Sequence, residues 1–296
     1  MPDRRANVEQ PLSARVQTAL AACAEGRLPP NVAAMHLLMA EADLAVLDRA
    51  IAQARSVEAA QRLRRVRLIA AGPAGEIVHR IAALLDHDPT AQTQDAVARW
   101  TAAFDHAAAA HAEAGVALYT LGDPHLLERA TAEIDEALCN WGLLGFDRRV
   151  LDLGCGIGRM LPTLAQHCGY VVGLDISKGM LDEARRRCAR YDNLALVRGS
   201  GRDLAMFGAE TFDLVLAVDS FPYLHLSGLS ERLFGEAARV LAWSGTIAIL
   251  NYSYRGDLSV DRGDLAGLAS SHGLEMYQDG CRNFTFWDGA TFLFRK

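Results

Sequence analysis

The 296-residue sequence is poor in several features, and each shortage removes a class of protein. Its six cysteines (Cys23, Cys139, Cys155, Cys168, Cys188 and Cys281) form no CxxC pair and no dense cluster. Neither a disulfide framework nor a cysteine zinc site is expected, and small buried hydrophobes in a reducing compartment are. No stretch approaches the ~18 uninterrupted apolar residues of a membrane span. Met1–Gln10 is charged, and Arg4-Arg5 is not followed by the apolar segment of an export signal. A cytoplasmic protein without a membrane partner is the expectation. Basic charge is not in excess either: the net charge is −6 and the pI near 5.8, which argues against a nucleic-acid partner. No cluster of acidic residues or histidines suggests a catalytic metal, so none is assigned.

Aromatic residues are missing from most of the first half. Residues 1–115 hold 32 alanines but only two aromatics, Trp100 and Phe104. This composition favours helices and gives almost no strand signal. Gly26 with Pro29-Pro30, Gly72-Pro73, and Asp86 to Pro89 punctuate it into four to six helices. Asn31 and Ser56 are placed as caps. From Asp95 onward, Val97, Trp100, Phe104, Ala108 and His111 fall near one stripe. Arg62, Arg64, Arg65 and Arg67 point in several directions around a helix and alternate with Leu63, Val66 and Leu68. That pattern is a solvated face rather than a phosphate site.

From about Val150 short apolar runs alternate with helical stretches. The runs are 149–153, 170–174, 194–197, 212–218 and 246–250; the helices lie near 158–168, 178–190, 229–241 and 261–272. This alternation predicts βαβ units and a parallel sheet. Residues 274–295 read as two more strands with turns at Asp279-Gly280 and Asp288-Gly289, closing an antiparallel edge. The predicted fold is α/β, a doubly wound, mostly parallel sheet of about seven strands behind an all-helical N-terminal region. The domains are placed at 1–115 and 116–296.

The sharpest feature is Val150-Leu151-Asp152-Leu153-Gly154-Cys155-Gly156-Ile157-Gly158-Arg159, a buried strand running through three glycines into a helix. Glycines there let the backbone turn and let a ligand approach closely. A dinucleotide site wants G-x-G-x-x-G for its pyrophosphate; here the spacing is G-x-G-x-G. Asp152 just before the loop is awkward beside a phosphate and suited to an ammonium group. Asp175 ends the next strand, 17 positions beyond Gly158. There it can accept hydrogen bonds from ribose hydroxyls.

These segments, together with Val172–Ser177, Gly179-Met180-Leu181, Phe212–Val215 and Arg239–Leu241 before Ser244-Gly245, resemble the class I methyltransferase motifs in their usual order. The resemblance covers about residues 118–296. It implies a seven-stranded sheet and S-adenosylmethionine as cofactor. Asp152, Gly154, Cys155, Gly156 and Gly158 would hold its methionine end, and Asp175 with neighbouring Ile176 its ribose. Ser200, Gly201 and Arg202 would lie at the adenine. Ser200 stands where many relatives carry aspartate, and Asp203 is an alternative. Tyr119, ahead of the helix that begins near Pro124, is a further cofactor candidate.

Residues after the fourth strand should face the transferred methyl, which makes Asp219, Tyr223 and His225 the catalytic candidates. His225 as a surface histidine is the competing reading. Ser220-Phe221-Pro222-Tyr223 only approximates the signature of base and glutamine methylases. The expected function is in-line methyl transfer to a small-molecule acceptor. A protein or RNA methyltransferase, a non-catalytic cofactor-binding protein and an NAD-dependent oxidoreductase are the rivals. The helical region would supply a lid, an acceptor pocket or the interface of a homodimer.

Overall fold

The computed structural model describes residues 12–85 and 95–296. The expected helix end at Asp86 to Pro89 and the reading of Met1–Gln10 lie outside the described residues. Helices α1 (Leu12–Ala24), α2 (Pro30–Met39), α3 (Ala45–Ala52), α4 (Val57–Ala70), α5 (Ala74–Leu84) and α6 (Ala96–Val116) make up the alanine-rich part. Ser56 caps α4, accepting from the Ala59 amide, and Asp95 caps α6 through the Ala98 amide. Asn31 is not a cap. Pro30 begins α2, so Asn31 sits inside it and its buried amide donates to the carbonyls of Tyr119 and Phe286. Helix α6 is long and is interrupted at His111. A short turn, Leu118–Thr120, then leads into α7 (Pro124–Asn140).

Seven strands follow: β1 (Arg149–Leu153), β2 (Tyr170–Asp175), β3 (Leu194–Arg198), β4 (Phe212–Val218), β5 (Leu241–Leu250), β6 (Glu275–Cys281) and β7 (Thr291–Arg295). Between them run α8 (Leu161–His167), α9 (Lys178–Cys188), α10 (Phe221–Leu226), α11 (Ser230–Val240) and α12 (Leu258–Ser271). The sheet order is β3-β2-β1-β4-β5-β7-β6. The first five strands are parallel, and β7 is antiparallel to both its neighbours. The predicted seven-stranded α/β architecture behind a helical region is what is found.

Strand β1 is buried at every residue from Val150 to Leu153 because helices cover both faces. Side chains alternate between those faces. Leu214, Leu216 and Val218 pack toward α7, α8, α9 and the N-terminal helices, whereas Val215 and Ala217 pack toward α10, α11 and α12. The first face forms one apolar core that runs from Leu37, Leu63 and Ile81 through Ile134 and Leu138 to Ile157 and Leu161. The helical region is therefore welded to the sheet rather than tethered to it.

Asp279-Gly280 is not the turn that the sequence predicts. Both residues lie within β6, where the pairing with β7 shifts register. An Asp-Gly pair provides the positive φ of a bulge as readily as that of a turn. Gly280 has φ +77, and a Cβ there would lie 2.7 Å from Leu258.

Candidate active site

The chain reverses its winding direction between β1 and β4, which neighbour each other at the centre of the sheet. Such a switch point leaves a crevice beyond the carboxyl ends of the strands. The cavity is found there, about 130 Å³ in volume, and its walls come from β1, β2, β4, the loop after β3 and the inner side of α6.

The glycine loop forms its floor. Gly154 has φ +80, and a Cβ on it would lie 2.5 Å from that of Ser220; on Gly156, at φ +53, it would lie 2.6 Å from a Val116 methyl. Only glycine fits both the turn and these contacts. The amides of Gly154 and Cys155 donate to the Leu174 carbonyl at the end of β2. Asp175 accepts from the Gly156 amide at 2.8 Å with one oxygen and from the Ser177 amide at 2.8 Å with the other. Burial raises its pKa while these amides act against the rise. Each oxygen keeps a lone pair for a further donor.

Two side chains on the wall each keep one buried polar atom without a hydrogen bond. Asp152 is buried, its Oδ2 has no hydrogen bond, and burial pushes its pKa up to about 7 against the pull of the Arg159 guanidinium. Arg159 donates from Nη1 to the Tyr119 hydroxyl at 2.8 Å, while its Nη2 is cut off from solvent and unpaired.

At the far end, Asp219 follows β4 with φ +59. It accepts from the Asn251 amide at 2.7 Å and is also hydrogen-bonded to Tyr254. Burial pushes its pKa up to about 6, opposed by Asn251 and Arg159. Tyr223 stands beside it, its phenol held above its ordinary range by burial and by the charge of Asp219. Its ring meets Trp100 and Phe104 of α6 edge-on at centroid distances of 4.9 and 4.8 Å.

Helix α6 is the roof. Phe104, Gly115 and Val116 line the cavity, and four polar contacts pin the helix down. Asp105 accepts from Ser177 Oγ and from the Gly179 amide, Asp95 pairs with Arg202, and Glu113 pairs with Arg187.

Of the residues singled out in the sequence, Asp152, Gly154, Cys155, Gly156, Asp175, Ile176, Gly201, Asp219 and Tyr223 come together on this wall. Five others do not. Gly158 turns behind the loop, where a Cβ would press on Ala184 and Leu161. Ser200 is exposed and accepts from the Arg202 amide, and Arg202 itself faces out to Asp95; Asp203 lines the cavity in their place. Tyr119 is buried one layer back, stacked on Trp287 at 5.7 Å, and reaches the site only through Arg159. His225 ends α10 with its ring against Tyr252, away from the cavity, and burial followed by the nearby Arg255 lowers its pKa. Sequence reasoning passed over Arg159, Met160, Met180 and Phe104, all on the wall. Arg159 closes the glycine motif, but only the fold shows that its side chain turns inward.

Residues 150–245 match the family model described as a methyltransferase domain. This segment, about a third of the chain, is a methyltransferase domain, and its relatives support the class I S-adenosylmethionine-dependent type. A demethylmenaquinone methyltransferase of Tropheryma whipplei (strain Twist) is 37% identical over 105 residues, 36% of this chain and 42% of that protein. The aklanonic acid methyltransferase of Streptomyces sp. (strain C5) is 31% identical over 160 residues, 52% of this chain and 66% of that one. Among solved structures, a candidate S-adenosyl-L-methionine-dependent methyltransferase from Methanococcus maripaludis superimposes with a TM-score of 0.50 at 17% identity, over 65% of this chain and 93% of that one. That likeness concerns the fold alone. The chain spans about two-fifths of the length of the first curated relatives it matches. Among the described residues no helix is long and apolar enough to cross a membrane.

Proposed function

We propose that this protein transfers a methyl group to a small organic acceptor held beneath α6. The observation that carries the reading is the roof itself. Phe104, Gly115 and Val116 line the strand-end cavity on its α6 side, which favours a metabolite over a folded protein or an RNA stem. The two relatives described above act, by their names, on demethylmenaquinone and aklanonic acid, both small organic molecules. In this reading the sheet and its loops bind the cofactor, and α6 supplies the roof and part of the acceptor pocket.

The residues fit S-adenosylmethionine. The glycine loop is a cradle that side chains would fill, and the unpaired, buried Asp152 oxygen lacks the donor that an ammonium group provides. Asp175 is assigned the ribose, and Gly201 with Asp203 the adenine. When bound, the cofactor supplies a methyl on a positively charged sulfur, a group ready for in-line displacement. The protein's contribution is then mainly alignment of the acceptor. Asp219, ionised above about pH 6, takes the acceptor's proton, and Tyr223 with Asn251 holds the acceptor and the carboxylate in place.

Calorimetric titration of the purified protein with S-adenosylmethionine, S-adenosylhomocysteine and NAD tests the reading, with Asp175→Ala alongside. Micromolar binding of both sulfur compounds, lost in the variant and absent for NAD, is the expected result. Binding of NAD without either sulfur compound would overturn it in favour of redox chemistry.

A further inference from the structure

With Asp152, Asp175 and Asp203 assigned to the cofactor, Asp219 is left on the cavity wall for the acceptor. The side-chain protons nearest to it are already committed. The Asn251 amide donates to Asp219 at 2.7 Å. Tyr254 is hydrogen-bonded both to Asp219 and to Tyr223. An ionised carboxylate only accepts, so the single proton of the Tyr254 hydroxyl goes to Asp219, and its oxygen accepts from the Tyr223 hydroxyl. The Ser220 hydroxyl donates to the Leu153 carbonyl at 2.6 Å. The other charges acting on Asp219 are Arg159, which is tied to the Tyr119 hydroxyl through Nη1, and Asp288. This end of the cavity therefore turns oxygen lone pairs, rather than protons, toward a ligand.

Tyr254 is fixed by its neighbours. Ser253 donates to Asp261 at 2.7 Å, and Arg255 pairs with Asp261 and Asp264 of α12. Between these anchors the Tyr254 ring meets that of Tyr223 edge-on at a centroid distance of 5.7 Å. Tyr223 and Phe104, both on the cavity wall, meet at 77° and form an aromatic corner. Aromatic rings attract cations.

We propose that the acceptor is a small amine, selected by Asp219, Tyr223 and Tyr254; this rests on the methyl-transfer reading above. An ammonium group carries enough N–H donors to meet both Asp219 and the Tyr223 oxygen. A carboxylate or phenolate brings lone pairs and negative charge to a wall that already has both, and specificity follows from that mismatch. Burial raises the pKa of Asp219 to about 6 and lowers that of an amine, so a neutral pair is favoured over an ion pair. Asp219 takes one N–H proton. The lone pair left on nitrogen displaces sulfur from the methyl carbon, and the electron pair of the broken carbon–sulfur bond stays on sulfur. The product is a methylammonium. Tyr254 acts through Asp219, whose carboxylate it aims, and is a positioning residue.

The test uses analogues of S-adenosylhomocysteine in which nitrogen replaces sulfur and carries an aminoethyl, a hydroxyethyl or a carboxymethyl arm. The arms place an ammonium group, a hydroxyl or a carboxylate beyond the methyl position. Calorimetric affinities are measured for the wild type, Asp219→Asn and Tyr254→Phe, with S-adenosylhomocysteine as reference. A charge-assisted hydrogen bond in a buried site corresponds to about 10- to 100-fold in affinity. The aminoethyl analogue should bind the wild type more tightly than the hydroxyethyl one by that factor, and the carboxymethyl analogue should bind least well. Asp219→Asn should bring the aminoethyl and hydroxyethyl affinities together. Tyr254→Phe should narrow the gap by a smaller factor, whereas a general packing defect would weaken every ligand alike. Equal affinities for the three arms in the wild type, or a preference for the hydroxyl or the carboxylate, would overturn the amine assignment while S-adenosylhomocysteine binding keeps the cofactor reading. An amine preference that survives Asp219→Asn would remove these side chains from acceptor selection. If S-adenosylhomocysteine itself does not bind, the cofactor reading fails and the proposal with it.

Discussion

Asp105 of α6 accepts hydrogen bonds from both Ser177 Oγ, at 2.6 Å, and the Gly179 amide, at 2.8 Å, at the start of α9. One carboxylate thus joins the roof of the cavity to the strand end that carries Asp175. It also takes an orphan amide at a helix N-terminus, where negative charge is favoured. Replacing it with alanine should release the roof while leaving the core between helices and sheet intact. We expect Asp105→Ala to increase amide hydrogen exchange along residues 96–116 by at least about tenfold, the equivalent of one such hydrogen bond. Exchange in β1 and β4 should not change. Uniform acceleration through the sheet would mean that Asp105 supports the fold rather than the roof.

Asp219 governs the acidic side of the pH profile. Burial pushes its pKa up to about 6, while the hydrogen bond from Asn251 favours the ionised form. Methyl transfer should fall as pH drops through about 6. Asn251→Ala removes a donor to the carboxylate, so the acidic limb should move to higher pH. Asp219→Asn should cost about 10²- to 10⁴-fold in rate, the usual range for a positioned proton acceptor. A profile with no limb between pH 5 and 8 would remove Asp219 from proton transfer.

Much of this was legible in the sequence because it depends on local pattern. The strand-glycine-helix run 150–159 and the acidic end of β2 are contiguous, and backbone geometry alone brings Gly156 to Asp175. Whatever depended on side-chain direction was not legible. Tyr119 and Arg159 are 40 positions apart, and no periodicity says that one stands behind the other. Ser200 occupies the motif position but is exposed, and it is Asp203 that lines the cavity. His225 follows Asp219 closely in sequence, but α10 carries its ring round to Tyr252. The roof was half visible: the Trp100 and Phe104 stripe marked an apolar face, without showing that the face closes on Tyr223.

The closeness of roof and floor is testable at Gly156. Its φ of +53 disfavours a side chain, and a Cβ would lie 2.6 Å from a Val116 methyl. Gly156→Ala should destabilise the fold by about 1–2 kcal/mol from the backbone alone and push α6 outward. Combining it with Val116→Ala relieves the contact but not the backbone strain. The double variant should therefore recover part of the lost melting temperature, and more of the lost cofactor affinity. Equal melting temperatures for the single and double variants would mean that the Val116 contact is immaterial.

Asp152 links ligand binding to stability. Its pKa is about 7 in the folded chain against an ordinary 3.8, so between these values the folded state holds a proton that the unfolded state has released. Stability from this group therefore falls as pH rises from about 4 to about 7, and the loss is complete above that. Asp219, at about 6, acts in the same direction over a narrower window. The ligand-free protein should melt at a lower temperature at pH 8 than at pH 5.5. Asp152→Asn should remove part of that fall and melt higher at pH 8, by about 2–4 °C for each kcal/mol recovered. With S-adenosylhomocysteine the order should reverse. The ammonium group favours the ionised carboxylate, so the ligand stabilises the wild type more at pH 8 than at pH 5.5 and the Asn variant little at either. Thermal melts of both proteins at the two pH values, with and without ligand, decide it. Parallel pH dependence in wild type and variant would show that Asp152 is not the group whose ionisation is withheld until the ligand arrives.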